Sequence, residues 1–273
     1  MIVDDKIRKC VVFIGLRMAN GDFRLAGSGF FIGRGIENGK ANTVYLVTAK
    51  HVVEGITKKG LTEVYIRGNL TTGSTEWAKT ESKDWRFHPT DASVDIALIQ
   101  VGVPSHWDHL VMPITMCATP DTLQSNEVGL GDEVFIVGLF RHHHGSNKNI
   151  PIVRVGNLAA LSEEKIDTNL YGSMDAFLIE ARSIGGLSGS PVLLNLGVTR
   201  YIKGAVQQST SGPIFLLLGL IHGHFDVLST SVDDTTEDSG AATMHDRVNT
   251  GIAIVVPIEK VVESISTYSP LNG

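Results

Sequence analysis

The sequence predicts an all-β protein, a barrel or a sandwich, closed by one C-terminal helix. Twelve short apolar runs, rich in Val, Ile and Phe, stand between Gly, Pro, Asn and Ser residues. Long amphipathic helical stretches are nearly absent. Helical spacing becomes clear only near the end, where Ile258, Val261, Val262 and Ile265 fall at i, i+3, i+4 and i+7 and so share one face. Pro257, just before them, suits a first helical turn, where a missing N–H costs nothing.

The elements follow in chain order. Residues 11–14, 30–32, 44–48, 64–67 and 96–101 are of strand length and composition. A shorter helical turn follows His51, from Val52 to Ile56. Residues 102–131 lack a strong period and hold Pro104, Pro113 and Pro120, so they read as the connection between two halves. Seven more strands are expected at 134–137, 152–155, 177–181, 192–194, 201–206, 214–221 and 252–256. Residues 229–250 are polar, with Asp233, Asp234, Glu237 and Asp238, and read as a long exposed loop.

Composition bounds the function. A chain of 273 residues buries roughly three quarters of its unfolded surface and needs neither disulfide nor metal to fold. With 23 Lys and Arg against 29 Asp and Glu, the net charge is −6, which argues against general nucleic-acid binding. No apolar run approaches the roughly 18 residues of a membrane span. Residues 1–10 carry Asp4, Asp5, Lys6, Arg8 and Lys9 and lack the apolar stretch of a secretory signal, so the expectation is a cytoplasmic chain without a membrane partner. Cys10 and Cys117 have no metal-ligand spacing and read as two reduced thiols.

Three local patterns carry chemistry. In Thr48-Ala49-Lys50-His51 an apolar strand delivers a histidine at its exit. In Asp95-Ile96-Ala97-Leu98 an aspartate opens an apolar strand. In Gly186-Leu187-Ser188-Gly189-Ser190-Pro191 a serine sits in a glycine-rich turn between strands. Each alone is commonplace: a surface histidine, a turn aspartate, a tight loop. Together they supply a base, its orienter and a nucleophile.

These motifs, with Gly27-Ser28-Gly29-Phe30-Phe31-Ile32, the stretch from Gly131 to Gly138, and Gly251 to Ile258, resemble the chymotrypsin-like (trypsin-fold) serine proteases. Within them the sequence is similar to the bacterial branch of HtrA-type and glutamyl endopeptidases, without a PDZ domain. The order His, Asp, Ser is that family's own. The resemblance implies two six-stranded antiparallel Greek-key β-barrels with a C-terminal helix. Residues 1–115 would form the barrel with His51 and Asp95, and residues 116–273 the barrel with Ser188 and the specificity pocket. It implies a serine endopeptidase acting on polypeptides through an acyl-enzyme, with no cofactor and no metal. The alternative is a catalytically silent protease-fold binding module. The oxyanion hole would be the N–H groups of Gly186 and Ser188. Ser190 is the rival nucleophile. Leu187 replaces the aspartate that pairs with a freed N-terminus in zymogen-type members, so no such activation is expected.

The resemblance places the pocket between Arg182 and Ser183 on one side and His222, Gly223 and His224 on the other. Two readings stand there: recognition of an acidic side chain by Arg182 and a histidine, or strand-end histidines beside a small apolar pocket. His142, His143 and His144 read as a solvated loop, the alternative being a zinc site shared with His222 or His224. Neighbours on a strand alternate faces, which argues against all three meeting one metal.

Overall fold

The computed structural model describes residues 3–37, 40–181, 186–228 and 247–268. Its first half holds α1 (Asp5–Arg8), β1 (Val11–Arg17), β2 (Phe23–Glu37), β3 (Lys40–Thr48), α2 (Lys50–Thr57), β4 (Glu63–Asn69), β5 (Thr75–Glu81), β6 (Arg86–Phe87), β7 (Ala97–Gln100) and β8 (Met112–Pro113). The second holds α3 (Pro120–Ser125), β9 (Glu133–Gly138), β10 (Ile152–Ala160), β11 (Ile166–Thr168), β12 (Gly172–Met174), β13 (Phe177–Glu180), β14 (Pro191–Gly197), β15 (Thr199–Ile202), β16 (Ala205–Gln208), β17 (Ile214–Leu228), β18 (Arg247–Pro257) and α4 (Ile258–Tyr268).

In the second half β10, β13, β18, β17, β14 and β9 close into a six-stranded antiparallel barrel, as expected. The first half is one sheet in the order β5-β4-β1-β2-β3-β7-β6, with β8 added in parallel to β2. It has eight described strands where the resemblance implies six, and β5, β6 and β8 match none of the five apolar runs read in this half. Strands buried on both faces, such as β1 and β9, are the continuous apolar runs. Helix α4 lays Ile258, Val261 and Ile265 into the core, each fully buried and each worth roughly 1.5–3 kcal/mol. The buried side chains of both halves form one continuous cluster.

Three expectations are corrected. Residues 201–206 are not one strand but the turn of the β15–β16 hairpin, because Lys203 and Gly204 both adopt positive φ, the conformation of a two-residue hairpin loop. Residues 247–250 open β18 instead of ending a loop, while 229–246 lie outside the described residues. The connecting stretch holds β8 and α3, the latter started by the Thr119 side chain accepting the Thr122 N–H.

Candidate active site

Strand β3 ends at Thr48, and Ala49 leads directly into α2. That helix buries Val52, Val53 and Ile56, which fixes its roll and leaves the His51 side chain 22% exposed at the first turn. Asp95, fully buried, lies between buried Val94 and Ile96 just ahead of β7. Its Oδ1 accepts the backbone N–H of His51 at 2.8 Å, and its Oδ2 lies 2.7 Å from His51 Nδ1. An ionised carboxylate only accepts, so Nδ1 carries a proton, and in the neutral ring that leaves the lone pair on Nε2.

A second imidazole shares that oxygen. His222 Nδ1 stands 2.6 Å from Asp95 Oδ2, and the two rings meet edge to face with centroids 5.7 Å apart. Burial alone pushes the Asp95 carboxyl upward. Hydrogen bonds from His222 and then His51 outweigh it and hold Asp95 below the usual carboxylate range. The ligand atoms of His51, Asp95 and His222 lie within 4.8 Å of one another, the spacing of a metal set. Nitrogen–oxygen separations of 2.6 and 2.7 Å are hydrogen-bond lengths, shorter than the roughly 3.3 Å between two ligand atoms about 2 Å from a tetrahedral cation. These lengths fit a cluster joined by hydrogen bonds.

Ser188 occupies a tight turn in which the Ser190 N–H donates to the Leu187 carbonyl at 2.8 Å and the Gly189 N–H to that of Ile221 at 2.8 Å. Gly189 has φ +80°, and a Cβ there would fall 2.3 Å from the Ser28 carbonyl oxygen, so only glycine fits. Ser188 is half-buried, and its Oγ donates to the carbonyl of His222 at 3.5 Å. Among the described residues no hydrogen bond joins it to His51. Ser190 is fully buried with no hydrogen-bond partner for its Oγ among the described residues, so it is closed to a substrate. Burial pushes the thiols of Cys10 and Cys117 up to about 12, so neither is a thiolate nucleophile at neutral pH.

The family model of the trypsin-like peptidase domain matches residues 27–198, more than half of the chain, spanning all three groups. The chain belongs to the trypsin-like peptidase family. It is by class a serine-type endopeptidase. Its fold is similar to the crystal structure of Deg5, with 16% identity, a TM-score of 0.50, and coverage of 94% of this chain and 88% of that one. It is also similar to the HtrA-type protease AlgW, solved with a decapeptide, with 13% identity, a TM-score of 0.52, and coverage of 97% of this chain and 66% of AlgW. No curated protein matches the sequence significantly.

In this trypsin-like peptidase Gly186 adopts φ +108°, and neither its N–H nor that of Ser188 is taken by a hydrogen bond among the described residues. Gly223 follows His222 on β17 and faces open space, with nothing within 4 Å of where its Cβ would be. His224 stands opposite Ala253. Arg182 and Ser183 lie outside the described residues. The structure adds a contact that the sequence did not suggest for His222: its ring lies against Asp95, at a point where the register of β17 against β18 shifts between Ile221 and Gly223. His142, His143 and His144 lie on a short 3₁₀ turn and are not grouped with other ligands among the described residues.

Sequence reasoning missed a neighbouring layer. Tyr171 Oη donates to Glu54 Oε2 at 2.8 Å, and the Lys50 ammonium lies 4.5 Å over the Tyr171 ring. Desolvation, then the bond to Glu54, then the Asp95 charge raise the Tyr171 hydroxyl pKa, so it stays a neutral donor. No motif marks this tyrosine; the only signal was an aromatic in an otherwise polar stretch.

Proposed function

We propose that this peptidase cleaves polypeptides by a Ser188–His51–Asp95 relay through an acyl-enzyme. The observation that supports it best is the 2.7 Å contact of His51 Nδ1 with a buried Asp95, together with half-buried Ser188, whose Oγ rests on the carbonyl of His222, the residue whose ring shares that Asp95 oxygen. Ser188 Oγ turns from the His222 carbonyl to His51 Nε2 and gives up its proton as its bond to the scissile carbonyl carbon forms. His51 then hands that proton to the leaving nitrogen as the C–N bond breaks. Water repeats the sequence, releasing the acid and restoring Ser188. Asp95 keeps the His51 tautomer and stabilises the imidazolium. The N–H groups of Gly186 and Ser188 receive the developing oxyanion, where losing one donor costs roughly 3 kcal/mol. Polypeptide is the substrate, and no cofactor takes part.

A diverse peptide library incubated with wild type and Ser188→Ala tests this reading. Cleavage by wild type is expected, with kcat lower by about 10⁶ in the variant. Enrichment of Glu or Asp before the cut supports a role for Arg182 or His224 in recognition, and its absence removes that preference. No cleavage by wild type would return the chain to a binding role, for which the resting Ser188–His222 contact is the structural ground.

A further inference from the structure

Ser28, in the Gly27-Ser28-Gly29 stretch of β2, is fully buried and plays no chemical part in the relay. Yet every polar group it owns is engaged with an element that carries the site. Its N–H donates to the Ser188 carbonyl at 2.9 Å. Its Oγ donates to the Gly186 carbonyl at 3.1 Å and accepts the Leu139 N–H at 2.9 Å. Its carbonyl accepts the Thr48 hydroxyl at 2.6 Å, three residues before His51. The surroundings are close-packed: a Cβ on Gly27 would lie 2.9 Å from the Ser188 carbonyl oxygen, and one on Gly138 3.0 Å from Ser28 Oγ.

We infer that Ser28 is a positioning residue that holds the two oxyanion donors in register with the histidine-bearing strand. The inference rests on the proposed relay. Gly186 is at φ +108°, and a glycine has little intrinsic preference for staying there. A bond to its carbonyl fixes the peptide unit that joins it to Leu187, and a second bond fixes the unit that joins Ser188 to Gly189, so the unit carrying the Ser188 N–H is bracketed and the Gly186 N–H is held from its C-terminal side. Both holds come from one residue of the opposite half, which is itself tied to Thr48. The spacing between base and oxyanion donors is thus set across the seam by a single side chain and its backbone.

The test uses the full chain with Ser28→Ala, Ser28→Thr and Ser190→Ala, the last being an equal deletion in the same buried node but of a hydroxyl with no partner among the described residues. Readouts are kcat and KM on the best library peptide, the labelling rate by a fluorophosphonate, and the melting temperature. In Ser28→Ala, kcat and labelling rate are expected to fall about 10- to 100-fold with KM within about threefold. Ser28→Thr restores most of kcat, and Ser190→Ala keeps it. A Ser28→Ala enzyme with unchanged kcat, a loss confined to KM, or an equal loss in Ser190→Ala overturns the inference. Should Ser28→Ala not fold, Ser28→Thr against Ser28→Cys decides, since a thiol is a weak donor: equal kcat overturns it, and a lower kcat in Ser28→Cys supports it. Activity surviving in Ser188→Ala would instead overturn the relay itself.

Discussion

Two imidazoles on one buried carboxylate oxygen define the residue scale. Asp95 is fully buried, so the His51 N–H, the His51 ring and the His222 ring supply the compensation for its charge. Its native pKa lies below the unfolded value, so the native state binds this proton less readily than the unfolded chain does. The resulting stability is fully present above about pH 4 and is lost as pH falls through the native pKa. Melting temperatures of wild type and Asp95→Asn across pH should therefore show the advantage of wild type shrinking below about pH 4, whereas a pH-independent difference would contradict it. In the same variant kcat should fall by about 10⁴, because the asparagine no longer enforces the tautomer with a proton on Nδ1. His51, Asp95 and Ser188 were legible as residues because strand ends and a glycine-rich turn mark them locally. Ser28 stood only within a quoted motif and His222 only as a pocket residue; their bonds to Gly186 and Asp95 were not legible, because those partners lie 158 and 127 residues away along the chain and no local pattern records such a contact.

At the scale of elements, the strands buried on both faces could be read from composition, and the edges could not. Strand β5, Thr-Glu-Trp-Ala-Lys-Thr-Glu, pairs only with β4 and has no fully buried residue, so it carries no apolar run to find. The hairpin β15–β16 was missed for the converse reason: Tyr201 and Val206 are apolar but 66% and 69% exposed, and two positive-φ residues between them reverse the chain. Strand β17 shows how a bulge defeats alternation, sending the His222 ring to Asp95 and leaving Gly223 beside open space. Gly223→Val should accordingly leave the melting temperature within a few degrees of wild type, since a Cβ there has no protein atom within 4 Å, and should raise KM on a peptide substrate by obstructing the cleft. A wild-type KM in a folded Gly223→Val enzyme would show that peptide does not run along this stretch.

Across the whole molecule, the site exists only where the two halves meet, so docking of the halves is part of the chemistry. Buried Arg67 on β4 donates to the carbonyls of Gly145 and Ser146, Asn149 Nδ2 donates to the Arg67 carbonyl, and the Asn149 N–H donates to Asn69 Oδ1. Tyr268 on α4 reaches back to the Phe87 carbonyl of the first sheet. Arg67→Met strips two carbonyls of a charged donor and should lower unfolding free energy by about 2–3 kcal/mol in urea titration, in a single transition. Separate transitions for the two halves would contradict a shared core. The two-half plan was legible because the family motifs fall in order along the chain; how the halves dock was not, because it depends on side chains meeting across the seam. The central claim, that Ser188 is the hydroxyl activated at this seam, is tested most directly by locating a fluorophosphonate adduct by peptide mass mapping. One adduct on Ser188, lost in Ser188→Ala and kept in Ser190→Ala, is the predicted result. An adduct on any other residue, or none on folded protein, would contradict the account.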